Sequence, residues 1–238
     1  MFGRRFEKRE EELEKLLENK NVVHLISGGI FSTLAIVVEK MFEVNKIQPV
    51  FVNRGHENWF RERMAVWDVI ELLSELFENI NDPVELVTYI PPISLDKIFP
   101  KAKRENKDFG KLSEMINNAV RVALCLSDYG ENYEVITTGS LYTKSCSQFY
   151  KAKNLEVKSI LKDKSISIVA PFCYLKLDKK KAIKYAIHRF PTEETIEVLK
   201  KAWSCSKYSL EPCGRCESCK EKEKMLKIAL KEYSRIIT

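Results

Sequence analysis

Short apolar runs alternate with longer segments of helical periodicity along most of the chain. Runs of the first kind lie at 22–27, 47–53, 83–91, 134–139 and 165–172, and such runs are typical of buried parallel strands. Helical periodicity is found at 5–20, after Gly29, and at 59–77, 112–126, 179–188, 192–202 and 219–233. The alternation predicts an α/β fold, a mostly parallel sheet with helices on both faces.

Length and composition limit the classes of protein that fit. The chain has 238 residues, of which 45% are apolar and 31% are charged, as in a globular protein with a large core. We expect one α/β domain at 1–203 and a small C-terminal region at 204–238. The N-terminus is charged throughout and no run of 18 apolar residues occurs, so we expect a cytoplasmic protein without a membrane partner.

The net charge is mildly positive, at +6 from 40 basic and 34 acidic residues. This excess suits anionic ligands such as nucleotides, but it is too small to indicate nucleic-acid binding by itself.

A glycine loop, residues Ser27–Thr33, separates the first predicted strand from the first long helix. A helix N-terminus presents free N–H groups, and glycines let a phosphate approach the backbone closely. The loop therefore predicts an anion site at the carboxyl end of a strand, where doubly wound sheets bind ligands. The alternative is an ordinary strand–turn–helix junction in which Ser32 caps the helix.

Four of the seven cysteines fall within fifteen residues, at Cys205, Cys213, Cys216 and Cys219. Two residues between cysteines let both thiolates reach one ion, and four thiolates complete a tetrahedral zinc shell with no open position. We therefore expect a structural Zn²⁺ site. An iron–sulfur cluster and four unligated thiols are the alternatives. Cys125 and Cys173 are expected to be core thiols.

The sequence S-G-G-I-F-S-T resembles the strand-SGGxDS-helix loop of the PP-loop ATP pyrophosphatases, with Phe31 at the position of the aspartate. In that superfamily ATP is cleaved between its α and β phosphates and pyrophosphate lies on this loop. The resemblance implies an adenine nucleotide alpha hydrolase-like, Rossmann-like fold and bound ATP with Mg²⁺. The expected ATP site comprises Ser27, Gly28, Gly29, Ile30, Phe31, Ser32 and Thr33.

The cysteine segment resembles the C-terminal signature of the QueC family, the 7-cyano-7-deazaguanine synthases. Here A-W-S-C-S-K-Y is followed by P-C-G-R-C-E-S-C-K, against W/T-S-C-Y and C-G-x-C-x-x-C in the family. The two motifs bracket almost the whole chain in the family's order. The resemblance implies an ATP-dependent C–N ligase that adenylates a carboxylate on a 7-deazaguanine-type substrate and couples it to ammonia or another amine.

The middle of the chain departs from the family pattern where the substrate base should bind. The family's Y-G-Q-R-H reads Arg54-Gly55-His56-Glu57-Asn58, and its S-G-Y-P-D-C-R loop reads SLYTKSCSQF from Ser140. These differences indicate a divergent paralogue, for which a different acceptor, in nucleobase modification or an antiviral setting, is an alternative. A catalytically degenerate nucleotide or deazaguanine binder is another. A PP-loop tRNA-modifying enzyme is a weaker one.

Few residues stand out as catalytic candidates. Arg54 and Lys180 are the catalytic candidates, since Arg54 is expected to point toward the ligand edge and Lys180 to pair with phosphate, each with a solvated charge as the alternative. Gly139 and Ser140 are expected to line the substrate site. His24 is expected to be a core histidine and His56 to lie near the ligand. The expected partners are ATP and a small 7-deazaguanine derivative; a homodimer and a protein acceptor are both compatible with the sequence.

Overall fold

A computed structural model describes residues 4–53, 59–87, 133–142, 166–207 and 211–238. The strands are β1 (Asn21–Ile26), β2 (Lys46–Asn53), β3 (Val84–Val87), β4 (Val135–Thr138) and β5 (Ser167–Val169). The helices are α1 (Arg4–Leu17), α2 (Ile30–Lys40), α3 (Trp59–Leu76), α4 (Pro171–Tyr174), α5 (Lys179–Arg189), α6 (Glu193–Lys201) and α7 (Glu217–Ile237).

The five strands form one sheet in the order β3-β2-β1-β4-β5, and every pairing is parallel. The direction of progression reverses at β1, which pairs with β2 on one side and β4 on the other. The predicted Rossmann-like parallel sheet is therefore confirmed. Its topological switch point lies between the carboxyl ends of β1 and β4, the place where open α/β sheets bind ligands.

The main core lies between one face of the sheet and the described helices. Val22 and Ile26 of β1 and Ile47 of β2 pack in the same apolar cluster as Leu34 of α2 and Ile70 of α3. Residues that point to the opposite face are also buried, as shown by Val23, Val50, Ile136 and Ile168. A sheet buried on both faces explains why the strands read as continuous apolar runs rather than as alternating ones.

The central strand carries one buried polar pair. His24 and Glu39 are both fully buried, and the Nδ1 of His24 lies 2.8 Å from the Oε1 of Glu39 and 2.9 Å from the hydroxyl of Thr137. The expectation that His24 is a core histidine is confirmed, and its partner ties the last turn of α2 to the middle of the sheet.

The C-terminal helix packs on the body of the protein. Met225 and Ala229 of α7 belong to the main core cluster, and Lys184 of α5 forms an ion pair with the buried Glu232 at 2.5 Å. Tyr185 of α5 is buried against Phe6 of α1, with ring centroids 5.4 Å apart. Helix α7 is thus attached to the α/β domain by both apolar packing and charge.

Two element boundaries differ from the sequence prediction. The strand expected at 165–172 covers only Ser167–Val169 in the structure, because Pro171 begins α4. Proline has no N–H for a strand ladder but fits the first position of a helix. Helix α7 begins at Glu217 rather than at Cys219, since Cys216 caps it and its Sγ accepts from the backbone N–H of Cys219. None of the described helices is both long enough and apolar enough to cross a lipid bilayer.

Candidate functional site

The glycine loop lies at the switch point of the sheet. Strand β1 ends at Ile26 and α2 begins at Ile30, with Gly29 as the N-cap residue and no side chain capping the first helical amides. The junction therefore begins a helix with its N-terminal amides at the carboxyl edge of the central strand, as an anion site requires. Ser32 lies within the first turn and does not cap the helix, contrary to the alternative reading.

Gly28 has a backbone conformation that only glycine adopts easily. Its φ is +72°, and a Cβ atom there would lie 2.7 Å from the carbonyl oxygen of Glu62 in α3. Gly29 differs, because it has a φ of −80° and its Cβ would make only ordinary contacts, 3.4 Å from the hydroxyl of Ser27 and 3.8 Å from the carbonyl oxygen of Trp203. The first glycine is thus required by the fold, whereas the second leaves room beside the helix N-terminus.

Hydrogen bonds inside the loop hold its shape. The hydroxyl of Ser32 donates to the carbonyl of Gly29 at 2.9 Å and accepts from the backbone N–H of Ser27 at 3.2 Å. The hydroxyls of Ser27 and Ser32 are 3.0 Å apart. Ser32 is buried and committed to these bonds, while Ser27 is exposed. Ser27 is therefore the loop hydroxyl best placed to meet a ligand.

Two other loop side chains point into the protein. The ring of Phe31, which occupies the position of the superfamily's aspartate, packs edge-to-face on Phe172 with centroids 6.5 Å apart. Thr33 is fully buried, and its hydroxyl has no hydrogen-bond partner in the described part of the chain. Phe31 thus serves packing at this position, and the loop contains no carboxylate.

Gly139 brings the end of β4 against the glycine loop. A Cβ on Gly139 would lie 2.3 Å from the Cα of Ser32 and 2.4 Å from its backbone nitrogen. No side chain fits there, so the backbone after β4 passes directly over the first turn of α2. The hydroxyl of the next residue, Ser140, accepts from Thr138 at 3.2 Å. Both predicted substrate-site residues therefore lie at the switch point beside the loop.

The four clustered cysteines converge on one point. Their Sγ atoms lie within 4.8 Å of one another, and those of Cys205 and Cys216 are 3.9 Å apart. Gly214 makes the turn between the second and third cysteine with a φ of +66° and open space around it. A donor set of four thiolates at this spacing fits a single tetrahedral metal ion.

Backbone amides support the thiolates. Cys213 donates its N–H to the sulfur of Cys205, Cys216 to that of Cys213, and Cys219 to that of Cys216, at 3.4–3.5 Å. Hydrogen bonds from the backbone of Ser206, and then of Cys219, lower the pKa of the Cys216 thiol to about 5. Burial, followed by the hydrogen bond to Cys216, raises the pKa of the Cys219 thiol to about 12. The Cys216 thiol thus ionises more readily than an ordinary thiol, and the Cys219 thiol ionises less readily.

Trp203 joins the two sites. Its backbone N–H donates to the carbonyl of Gly28 at 2.7 Å, and its indole Nε1–H donates to the carbonyl of Cys205 at 3.0 Å. The sequence motif contains this tryptophan, but nothing in the local pattern indicated its contact with the glycine loop. The local pattern likewise did not indicate the contacts of Lys222, whose Nζ donates to the carbonyls of Lys200 and Ala202 at 2.6 Å each.

The remaining predicted residues fall into two groups. Lys180 is exposed in the first turn of α5, and no hydrogen bond or ion pair joins it to the glycine loop among the described residues. Arg54, His56 and Cys125 lie outside the described residues. Cys173 is buried, as expected for a core thiol.

Comparison with known proteins finds a family model that matches part of the chain. No curated protein matches the chain in sequence. Among solved structures, the chain is similar to the U34-tRNA thiolase NcsA from Methanococcus maripaludis, solved with its 4Fe-4S cluster: 14% identity, 97% of this chain and 78% of that chain covered, and a TM-score of 0.42. The sequence model for the queuosine biosynthesis protein QueC matches residues 129–230, which span β4 to α7 and include the four clustered cysteines. The part of the chain at 129–230 is therefore similar to QueC, and this match covers less than half of the 238 residues.

Proposed function

We propose that the protein is an ATP-dependent ligase that adenylates a carboxylate on a 7-deazaguanine-type substrate and couples it to ammonia or another amine. The family match supports an ATP-using, adenylating enzyme. The identity of the carboxylate substrate and of the amine goes beyond this match and is the further step of the proposal.

One observation carries the proposal: a glycine loop with an uncapped helix N-terminus lies at the switch point, directly beside the glycine that follows β4. Backbone amides and the positive end of the helix dipole favour a phosphate group at this position. Ser27 is exposed there and adds a hydroxyl donor. A substrate seated over Gly139 and Ser140 would then adjoin the nucleotide.

The proposed reaction depends more on the relative orientation of ATP and the carboxylate than on a reactive side chain. A carboxylate oxygen attacks the α-phosphorus of ATP, the bond from that phosphorus to the bridging oxygen breaks, and pyrophosphate leaves. The amine nitrogen then attacks the acyl carbon, AMP leaves, and the nitrogen loses a proton. The loop residues would bind the leaving pyrophosphate and fix the α-phosphorus in line with the carboxylate, which lowers the barrier by positioning and by stabilising charge.

The superfamily pattern has an aspartate in this loop, whose carboxylate is a possible magnesium ligand. The loop of this chain has no carboxylate. Phe31 stands in its place, and an aromatic ring cannot ligate Mg²⁺. We therefore assign no magnesium ligand to this loop. Magnesium is expected only as the companion of the ATP phosphates.

For the cysteine site we propose a structural zinc ion. With zinc–sulfur bonds of about 2.3 Å, a tetrahedron has sulfurs about 3.8 Å apart, close to the 3.9 Å between Cys205 and Cys216. A cubic iron–sulfur cluster is larger than one ion and keeps its thiolates farther apart. Zinc held by Cys205, Cys213, Cys216 and Cys219 would cross-link the C-terminal turn and supply folding free energy.

The direct test incubates the protein with ATP, Mg²⁺ and 7-carboxy-7-deazaguanine and measures AMP and pyrophosphate. Release of both that depends on the deazaguanine and ammonia is the expected result. ATP-dependent release with another carboxylate would instead support a paralogue with a different acceptor, including a protein acceptor.

A catalytically degenerate binder is the second candidate, and the packing of Phe31 on Phe172 favours it. Saturable binding of ATP or of the deazaguanine without turnover would support this candidate and reject the ligase. Calorimetry that detects no binding of any adenine nucleotide would reject both.

A further inference from the structure

Trp203 is the only residue described above that contacts both the glycine loop and the cysteine site within the described part of the chain. Its main chain bonds to Gly28 at 2.7 Å and its side chain to Cys205 at 3.0 Å. Gly28 is the loop residue with positive φ, and Cys205 is the first of the four clustered thiols. One half-buried residue therefore contacts both sites, through its main chain at the glycine loop and through its side chain at the cysteine site.

The bond to Gly28 bears on the shape of the loop. On one side Gly28 approaches the backbone of α3, where Glu62 leaves no room for a Cβ atom. The hydrogen bond from the backbone N–H of Trp203 fixes the carbonyl of Gly28. The carbonyl oxygen of Trp203 lies 3.8 Å from the position of an ideal Cβ on Gly29. Because the orientation of this peptide sets the direction of the neighbouring amides, Trp203 is a positioning residue for the anion site.

Two routes link Trp203 to the cysteine turn. The first is direct, since Trp203 donates to the carbonyl of the ligand Cys205. The second runs through Lys222, one turn after Cys219 on α7, which holds the carbonyls of Lys200 and Ala202 just before Trp203. The segment at 200–205, which contains Trp203, is therefore bonded to Lys222 of α7 at one end and includes the ligand Cys205 at the other end.

Metal–sulfur bonds would hold the four sulfurs, which lie within 4.8 Å of one another, in one arrangement. Without an ion those bonds are absent, so we expect the turn at 213–219 and Cys205 to become less ordered. Trp203 would then lose its fixed partner at Cys205, and the carbonyl of Gly28 would be held less firmly.

We propose that the metal-loaded cysteine site positions the glycine loop through Trp203, so that metal occupancy and nucleotide binding are coupled. The nucleotide half of this statement rests on the proposed function. Coupling between two sites is reciprocal, so a nucleotide must tighten metal binding by the same factor by which the metal tightens nucleotide binding. We expect a factor of about ten, within the usual range for coupled sites.

The first measurement needs no nucleotide. Amide hydrogen exchange, followed by mass spectrometry on the full chain, compares the metal-loaded protein with the chelator-treated protein. We expect exchange in 26–34 to accelerate several-fold on metal removal while β2 changes little. An unchanged loop would overturn the coupling, and so would an equal acceleration of loop and β2, because the metal would then act only on overall stability.

Trp203→Phe tests the route in the metal-loaded protein. Phenylalanine keeps the ring and the backbone N–H but removes the indole donor to Cys205. The variant should keep its metal, exchange faster in 26–34 and bind ATP about tenfold more weakly. Trp67→Phe is the matched control, since Trp67 lies on α3 under the guanidinium of Arg63 at 4.3 Å, and no hydrogen bond between the described residues joins it to the glycine loop or to the cysteines. If Trp203→Phe retains metal but matches the wild-type protein in exchange, the proposal is wrong.

Lys222→Met tests the second route, with the exposed Lys224→Met as its control.

Finally, zinc affinity is measured by chelator competition with and without ATP. ATP should change the affinity for zinc by the same factor by which zinc changes the affinity for ATP. If the loaded wild-type protein binds no ATP, the proposed function fails, whereas the exchange measurements still decide whether the metal positions the loop.

Discussion

The glycine loop and the cysteine site are built in opposite ways. The loop is made of backbone: glycines, helix amides and a hydroxyl that bonds back to the main chain. The cysteine site is made of four side chains, which a turn and a helix N-terminus bring within 4.8 Å. A backbone site depends on conformation and a side-chain site depends on composition, so the two sites should respond differently to substitution.

This difference fits the way the chain departs from the motifs that it resembles. All four cysteines of the motif are present, as a tetrahedral site of four thiolates would require. The loop keeps Gly28, whose φ and close approach to α3 exclude other residues, yet it has phenylalanine in place of the aspartate. A backbone site can keep its shape while one of its side chains is used for packing.

The largest effect should come from the side-chain site. Cys216→Ser removes one ligand, so the protein should lose its metal and about 4 kcal/mol or more of stability. Elemental analysis should find one zinc in the wild-type protein and much less in the variant, with a clear fall in Tm. Cys173→Ala is the control, since it removes a buried thiol outside the cluster and should leave the zinc content unchanged. Bound iron in the wild-type protein would contradict the zinc assignment.

The backbone site predicts a contrast between adjacent glycines. Gly28→Ala forces a side chain into positive φ and against Glu62, so it should cost about 2–4 kcal/mol in urea unfolding. Gly29→Ala has an ordinary φ and an ordinary contact distance, so it should cost only about 1 kcal/mol. Its methyl group should nevertheless weaken ATP binding. Equal costs for the two variants would mean that the described loop conformation is wrong.

Phe31→Asp separates the packing role of this residue from its chemical role. Loss of the contact with Phe172 and partial burial of a carboxylate should lower stability by about 1–3 kcal/mol. If the missing carboxylate limits catalysis, pyrophosphate release should rise despite this loss. Phe31→Leu, which stays apolar, should leave the rate unchanged. A rate that rises equally in both variants would reject the role of the carboxylate.

The smallest effect concerns the attachment of α7. The ion pair with Lys184 is the main cause that lowers the pKa of the buried Glu232, with Arg235 and His188 contributing less. A carboxyl whose pKa is lowered by folding adds stability above its unfolded pKa of about 4.3. That stability is lost as the pH falls through the lower folded value.

Glu232→Gln should therefore be less stable than the wild-type protein by about 1 kcal/mol at pH 7, and the difference should vanish well below pH 4. Thermal unfolding across this range measures it. Glu223→Gln on the same helix is the control, because the pair of Glu223 with Lys227 is exposed and should contribute less. A difference that persists at low pH would show that the pair acts by packing instead of by charge.

Most described elements were predictable because their signals are local. The apolar runs that become β1 and β2, and the periodic segments that become α5 and α6, differ from the prediction by only one or two residues at either end. The exception at 165–172 arose because an apolar run continues through Pro171, where the chain turns from strand to helix.

The candidate ligand-binding residues of both sites were likewise predicted from local motifs. Four cysteines with C-x2-C spacing and a glycine loop between strand and helix carry their chemistry in consecutive residues. The residues that support them were not found, because their contacts join distant parts of the chain. Trp203 reaches Gly28, Gly139 meets Ser32, and Phe172 receives the ring of Phe31.

The amino-acid sequence alone determined the fold class, the glycine loop between strand and helix, and the cysteine cluster, since periodicity and spacing act over a few residues. Only the tertiary structure decided that β1 and β4 meet at the loop, that Phe31 turns into the core, and that one tryptophan connects the loop to the cysteines. These features depend on which segments pack together, and packing is settled by the shape and burial of the whole domain.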